Sequence, residues 1–172
     1  MLQENNEYVE VYRLNNAGNR EKTGDTVKRG TPVEKGLYVI GVNNWIINSN
    51  GEFLVQKRSK LKRNNPGKWS STNGLRAIGE KSIETCIRET KEELGIDIPI
   101  DSIKYVDSKI AGESLIVDIF VTKMDVNIEE IVIQKEEVDE IKWVLLDELV
   151  KMDISTTCQY IKSDISSVIN NI

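Results

Sequence analysis

Three glutamates near the middle of the chain are the side chains best suited to chemistry. Glu92 and Glu93 follow Glu89 by three and four residues. At about 100° per residue, these positions span roughly 100° of a helix surface, so their oxygens can converge on one point beside the helix. Convergent carboxylate oxygens bind hard divalent cations. The spacing therefore predicts a metal site, and the alternative interpretation is a solvated acidic helix face.

The position of these glutamates within the predicted helix favours a ligand over a solvated face. Like charges three or four residues apart each destabilise a helix by roughly 0.2–0.5 kcal/mol. The glutamates also lie toward the C-terminal end of the helix, where its dipole disfavours anions. A bound divalent cation would reverse both effects.

Residues at fixed spacing extend this pattern on both sides of the glutamates. They match G-x5-E-x7-R-E-U-x-E-E-x-G-U and are Gly74, Glu80, Arg88, Glu89, Glu92, Glu93, Gly95 and Ile96. Without Ile96, which fills a less restricted aliphatic position, these are seven fixed residues of types that each occur at roughly 7% frequency. They would coincide in this way by chance about once in a million chains. The stretch from Gly74 to Ile96 resembles the Nudix box, and its one departure is Thr90 at an aliphatic position.

The resemblance implies what the box residues bind. In Nudix hydrolases the box forms a loop, a helix and a second loop. By resemblance, Glu89, Glu92 and Glu93 hold one to three Mg²⁺ or Mn²⁺ ions, and the carbonyl of Gly74 is a further ligand. Oxygen-only ligands suit these ions. The resemblance implies a hydrolase that cleaves a diphosphate linkage in a nucleoside diphosphate derivative or a similar organic diphosphate.

The resemblance also implies roles for the residues around the metal. Arg88 orients a ligand carboxylate through its planar guanidinium, the alternative being a surface ion pair. Glu80 supports the metal ligands from behind or, as the alternative, binds the metal through water. A general base comes from a loop outside the box. Glu137 is our first choice for this base, with Glu136 and Glu113 as the alternatives.

Two residues before the box are further candidates. Arg58 ends a predicted strand where many relatives also carry arginine, so we expect it to bind a substrate phosphate, the alternative being a surface charge. Trp69 is expected to pack in the core rather than against substrate. Substrate identity depends on loops outside the box, chiefly residues 60–68 and the turn around Glu113, which carry no signature.

The box glutamates must be positioned by a helix with a clear beginning and end. Ser82 is a suitable N-cap, and Gly95 lies in the position favoured for the C-terminal cap. Between them, apolar or small residues recur at helical spacing on one stripe that faces the core, away from the glutamates. The members of this stripe are Ile83, Cys86, Ile87, Thr90 and Leu94.

Strand patterns surround this helix and indicate an α/β fold. Residues 8–14 alternate as a half-buried strand and begin an N-terminal hairpin arm, and residues 36–48 and 53–57 form a central hairpin. Further strands are predicted at 72–77, 103–110, 115–122 and 141–145, with helical stretches at 147–152 and 156–169. We therefore expect a Nudix-type α/β/α sandwich with a mixed sheet, in which residues 1–35 form an arm of the same unit as the 36–172 domain.

Composition excludes several classes of protein and site. The net charge of -5 and the scattered basic residues argue against general nucleic-acid binding. No stretch is apolar enough for a signal peptide or a membrane span, so a cytoplasmic location is expected. The absence of histidine excludes histidine-based catalysis, and two cysteines without CxxC spacing make a zinc site implausible. The arm either packs on its own domain or reaches across a homodimer.

Two other functions are weighed against hydrolysis. The arm and residues 36–60 resemble the Nudix branch that includes isopentenyl diphosphate isomerases, but those enzymes use a cysteine just before the box and metal-binding histidines. Here that stretch reads Trp69-Ser70-Ser71-Thr72. A non-catalytic Nudix-fold module that binds a ligand is the second alternative, although such modules usually lose box glutamates and this chain retains all of them.

Overall fold

Nine strands form one mixed sheet in the computed structural model, which describes residues 8–162 together with Val168. In chain order they are β1 (Tyr8–Leu14), β2 (Arg20–Lys28), β3 (Leu37–Ile47), β4 (Phe53–Arg58), β5 (Trp69–Ser70), β6 (Thr72–Leu75), β7 (Ile103–Ala111), β8 (Leu115–Lys123) and β9 (Val138–Val144). The mixed character comes from β3, which pairs in parallel with β8 and antiparallel with β6.

The predicted central hairpin of β3 and β4 is present at its turn, but the two strands separate beyond it. The side chain of Asn48 accepts hydrogen bonds from the backbone of Asn50 and Glu52, which fixes the turn between β3 and β4. Beyond it, only Ile47 and Phe53 pair directly. The strands separate because β3 is already paired with β6 and β8, while β4 pairs with β5 and β9.

The box helix, α1, spans Ser82–Leu94 and ends at Gly95 in the left-handed conformation (φ 68°), as predicted. The prediction that Ser82 caps this helix is wrong. Ser82 is already the first helical residue, and its hydroxyl donates a hydrogen bond to Asp118 on β8. The cap is Lys81, whose backbone N–H donates to the carboxylate of Glu84 at 2.7 Å.

Apolar side chains cover both faces of the sheet, which confirms the α/β/α sandwich. On one face, Cys86 and Leu94 of α1 pack against Val42, Ile46 and Phe120. On the other face, α2 (Leu146–Leu149) and a 3₁₀ segment (Thr156–Lys162) cover a cluster that includes Trp45, Phe53, Val117, Ile119 and Val144. The predicted helix at 156–169 begins as this segment, and its continuation lies outside the described residues apart from Val168. Within the described part of the chain, no helix has the length and apolarity needed to cross a membrane.

The N-terminal hairpin of β1 and β2 is joined to its own domain. β1 pairs with β3 at two positions only, Tyr12 with Tyr38 and Arg13 with Leu37. Side chains provide the remaining attachment: the guanidinium of Arg76 lies 5.0 Å from the ring centre of Tyr12. A boundary at residue 35, a cytoplasmic location and a homodimer stay predictions.

A partly buried ion pair also anchors the arm. Both terminal nitrogens of Arg20 on β2 donate to the carboxylate of Asp118, which is 4% exposed. The same carboxylate accepts the hydrogen bond from Ser82. Asp118 therefore links the arm, β8 and the first residue of α1.

Replacing Asp118 with Asn should destabilise the protein by about 1.5–3 kcal/mol, because the partly buried guanidinium of Arg20 then loses its charged hydrogen-bond partner. Urea unfolding of the variant measures this difference. The control is Asp153→Asn, since Asp153 pairs with Lys68 at the surface and its side chain is 75% exposed. That change should cost less than about 1 kcal/mol. Equal losses in both variants would contradict the anchoring role of Asp118.

Candidate active site

A cleft of about 1090 Å³ runs beside the C-terminal half of α1. One wall carries Glu89, Glu92 and Glu93 together with Gly74. Facing them are segments from separate parts of the chain: the end of the arm, the loop after β4 and the turn before β9. The lining residues from these segments include Lys28, Arg29, Thr31, Pro32, Arg58, Leu61, Lys62, Arg63, Asn64, Asn65, Gln134 and Glu137.

Glu89 occupies its place only because residue 74 is glycine. The Glu89 residue is 6% exposed. An ideal Cβ at Gly74 would lie 2.0 Å from the carboxyl carbon of Glu89, so any larger residue would displace this carboxylate. The motif suggested a ligand role for the Gly74 carbonyl, and the structure adds a steric reason for the glycine that sequence spacing could not reveal.

Arg88 connects Glu80 to the acidic wall of the cleft, which is formed by Glu89, Glu92 and Glu93. Its Nε and one terminal nitrogen donate to both oxygens of Glu80, at 2.6 and 2.9 Å. The other terminal nitrogen donates to Glu89 at 2.8 Å and to Glu92 at 3.2 Å. Burial opposes the charge of Arg88, but Glu80 and Glu89 outweigh it and raise its pKa above the ordinary value.

Glu80 is in turn fixed by the loop before the helix. Its carboxylate accepts hydrogen bonds from the backbone of Ala77 at 3.1 Å and from the hydroxyl of Thr85 at 2.8 Å. Burial raises the pKa of Glu80, yet the hydrogen bond from Arg88 and those two contacts lower it overall. The arrangement agrees with a supporting role for Glu80 behind Glu89.

Glu93 is the most deeply buried acid of the cleft wall, at 4% exposed. Gln56 on β4 donates to it at 2.7 Å. Burial raises the pKa of Glu93 to about 8, and the charge of Glu89 adds to the rise. Burial is also the main cause of the raised pKa of Glu89. Two buried carboxylates with so little compensating charge fit a site for a divalent cation.

The three glutamates differ in burial, whereas their helical spacing predicted that they would lie together on one face, away from the core. Glu89 and Glu93 belong to the buried face of α1, alongside Thr85, Cys86, Thr90 and Leu94, rather than to a separate solvated arc. The side chain of Glu92 is 45% exposed and is held by Arg88. Among the described residues, no three acidic or cysteine side chains are grouped closely enough to hold a metal. Glu92 would have to exchange Arg88 for a cation to join its neighbours.

Basic side chains line the same cleft as the acids. Arg58 ends β4, as predicted, and its guanidinium donates to the side chain of Asn73 and to the backbone oxygen of Asn64, both at 3.2 Å. Lys62 pairs with Glu137 at the rim. These contacts leave Arg58 and Lys62 lining the cleft, where a phosphate could reach them.

The three candidates for the general base are placed differently. Glu137 lines the cleft, and its charge contributes to the raised pKa of Glu93, which places the two acids near each other. Glu113 and Glu136 are exposed, and neither lines the cleft. The geometry therefore favours Glu137 among the three.

The site contains residues that the sequence did not single out. Gln56 was hidden within the strand pattern of β4, and no motif identifies an amide that supports a carboxylate on a distant helix. Residues 28–32 belong to the arm, and nothing in the pattern signals that they reach the cleft. Trp69 agrees with its expected role: it packs against the core and does not line the cleft.

Comparison with known families identifies the chain. The sequence model of the NUDIX domain matches residues 37–159, more than half of the chain. The protein belongs to the Nudix hydrolase family. Nudix hydrolases generally use divalent metals, which agrees with the acidic wall described above.

Two curated relatives are similar to this Nudix hydrolase over different lengths. An uncharacterised Nudix hydrolase of Listeria monocytogenes is 36% identical over 132 residues, which cover 76% of this chain and 78% of the relative. An isopentenyl-diphosphate Delta-isomerase of Escherichia coli is 34% identical over 83 residues, covering 47% of this chain and 46% of that enzyme. The second match agrees with the branch that the sequence resembles.

Solved structures share the fold of this Nudix hydrolase. A Deinococcus radiodurans protein superposes with a TM-score of 0.69 at 18% identity, over 96% of this chain and 98% of that one. The NUDIX domain of Shewanella oneidensis NrtR, solved in complex with ADP ribose, superposes with a TM-score of 0.63 at 16% identity, over 78% and 88% of the two chains. At these identities the similarity establishes the fold alone.

Glu93→Gln should stabilise the metal-free protein at alkaline pH. The pKa of Glu93 rises from 4.5 to about 8 on folding, so the stability present below pH 4.5 is lost as the pH rises toward 8. The variant carries no titrating group at residue 93. Its free energy of unfolding should therefore exceed that of the native protein by about 2–4 kcal/mol at pH ~8.5 but differ little at pH ~5. Thermal unfolding in EDTA at both pH values measures the gain. If the gain in stability were the same at both pH values, burial of the Glu93 charge could not be its cause.

Gly74→Ala should weaken metal binding without unfolding the protein, because its methyl group would displace the Glu89 carboxylate. We expect at least a tenfold loss of Mn²⁺ affinity, about 1.4 kcal/mol, measured by calorimetry. Gly79→Ala is the control, since a Cβ at Gly79 meets no atom within 4 Å, although its φ of +80° adds some strain. Equal Mn²⁺ affinity in the Gly74 variant and the native protein would contradict the steric argument.

Proposed function

We propose that this Nudix hydrolase cleaves a diphosphate linkage in a nucleoside diphosphate derivative or a similar organic diphosphate, with Mg²⁺ or Mn²⁺ as cofactor. The observation that carries the proposal is the pair of buried carboxylates, Glu89 and Glu93, in a cleft wall that faces basic side chains. A cation between them and a diphosphate would balance both sets of charges.

The residues that would hold the metal are Glu89, Glu92 and Glu93, with the carbonyl of Gly74. Their donors are all oxygens, which suits Mg²⁺ or Mn²⁺. When bound, such an ion neutralises phosphate charge and lowers the pKa of an attacking water. Arg88 keeps Glu89 oriented, and Glu80 keeps Arg88 in place through two hydrogen bonds.

The remaining residues act on the substrate. Arg58 binds a phosphate oxygen in the cleft, where hydrogen bonds to Asn73 and Asn64 hold its guanidinium. Glu137 accepts the proton of the attacking water, and Lys62 keeps that carboxylate at the rim. Water adds to one phosphorus, the bridging P–O bond breaks and the other phosphate leaves. The products are two phosphate monoesters where both phosphates carry organic groups, and one monoester with inorganic phosphate where only one does.

The comparisons support a nucleotide-like substrate more than an isoprenoid one. A protein with this fold was solved with ADP ribose, a nucleoside diphosphate derivative. The isomerase match covers only 47% of this chain, and this chain has no histidine and no cysteine at residues 69–72. Retention of the full acidic wall argues for catalysis over a binding module.

Pure protein with Mg²⁺ or Mn²⁺ should hydrolyse at least one compound in a panel of nucleotide sugars, dinucleoside polyphosphates, NADH and damaged nucleotides. Chromatography of the products identifies the broken bond. Glu93→Gln should lower kcat at least about 100-fold, since one buried carboxylate of the metal site is lost. Chelation of the metal by EDTA should abolish turnover.

The matched control is Glu84→Gln, the same change on the exposed side of the same helix. The amide oxygen of the new side chain can still accept the hydrogen bond from the backbone of Lys81, so activity should stay within about twofold of native. Absence of turnover across the panel would contradict the proposed function. Turnover that is insensitive to Glu93→Gln would contradict the proposed site.

A further inference from the structure

The N-terminal arm forms part of the cleft wall. Its residues Val9, Lys28, Arg29, Thr31 and Pro32 line the cleft together with the box glutamates. Val9 is 2% exposed, so the arm is packed in place rather than loosely apposed. The ion pair of Arg20 with Asp118 adds a second attachment on the same hairpin. The arm therefore presents a fixed surface to any molecule in the cleft.

One arm residue lies directly beside the arginine of the box. A terminal nitrogen of Arg29 donates to the backbone oxygen of Leu75 at 3.2 Å. A terminal nitrogen of Arg88 donates to the same oxygen at 3.3 Å. Two guanidinium groups thus converge on one carbonyl at the edge of the acidic wall. Leu75 follows Gly74, so this point adjoins the place where Glu89 packs.

The two arginines differ in how their charges are compensated. Arg88 forms ion pairs with Glu80, Glu89 and Glu92. For Arg29, no carboxylate lies within ion-pair distance in the part of the chain that the structure describes. Arg29 is also exposed, so its other donors can reach a ligand. The charge of Arg29 also acts favourably on the Glu89 carboxylate, so its guanidinium lies near the box acids. Its remaining donors can form charged hydrogen bonds to a phosphate that binds there.

We propose that Arg29 binds a phosphate of the substrate beside Glu89, so that the arm completes the active site. The inference rests on the proposed function and deepens it. Arg58 reaches the cleft from the loop side, whereas Arg29 reaches it from the arm side. A diphosphate lying between them receives a guanidinium from each direction, and the arm thereby selects substrates that carry at least two linked phosphates.

Calorimetry with methylenediphosphonate, a diphosphate analogue without a hydrolysable bridge, tests the proposal in the presence of Mg²⁺. Arg29→Ala should weaken binding at least about tenfold, as expected for a charged hydrogen bond. Arg29→Lys should have an affinity between those of Arg29→Ala and the native protein, because it keeps the charge and loses the planar fork. Circular dichroism should show the same fold in all proteins.

The matched control is Arg13→Ala, which removes an arginine from the same hairpin. Arg13 pairs with Glu21 at 3.4 Å, and its side chain is 60% exposed and does not line the cleft. Its removal should leave the affinity for methylenediphosphonate unchanged. Native affinity in Arg29→Ala, or equal losses in Arg29→Ala and Arg13→Ala, would overturn the role of Arg29.

Hydrolysis measurements separate this proposal from the function on which it rests. With a substrate found in the panel, Arg29→Ala should raise KM at least about tenfold and change kcat less, whereas Glu93→Gln lowers kcat. A protein that hydrolyses the panel but shows native KM in Arg29→Ala refutes only the role of Arg29. A protein that binds methylenediphosphonate through Arg29 but hydrolyses nothing refutes only the proposed function.

Discussion

Glu89 and Glu93 lie within the buried face of α1, each with few compensating partners, and this placement constrains the surrounding structure. A carboxylate in such a place is unfavourable as an anion unless a cation or several donors approach it. In the described part of the chain, the side-chain hydrogen bonds to these acids come from one guanidinium for Glu89 and one amide for Glu93. The charges of Arg29 and Arg58 add a weaker attraction. A side chain at residue 74 would clash with the Glu89 carboxylate, which explains the glycine at this position. The helix face is thus organised around two charges that the fold alone compensates only in part.

Arg88 connects these helix carboxylates to Glu80 in the loop before α1. Because it holds Glu80 with two hydrogen bonds and Glu89 with one, the loop before α1 cannot move without moving a cleft carboxylate. The same guanidinium restrains Glu92, the most exposed of the three acids. In the proposed metal site, a cation bound by Glu92 would therefore compete with Arg88 for that carboxylate.

The sequence predicts the parts of the site that are local and misses the parts that are brought together by folding. Residues of one helix keep their relative positions whatever the fold, so the spacing and the motif resemblance together were enough to single out the acids, Arg88 and the glycine cap. Gln56 and Arg29 approach the helix from β4 and from the arm, and sequence spacing carries no information on such contacts. Ser82 failed as a cap because the nearby carboxylate of Asp118 took its hydroxyl, a tertiary interaction that overrode a local preference.

The carboxylate of Asp118 connects the N-terminal arm to the region that matches the NUDIX domain. The region that matches the NUDIX domain begins at residue 37, whereas the cation that neutralises Asp118 comes from Arg20. A polypeptide trimmed to the matched region would retain an internal negative charge against the start of the box helix with no guanidinium opposite it. Sequence similarity therefore marks what relatives have in common, whereas the contacts that stabilise this fold extend further toward the N-terminus.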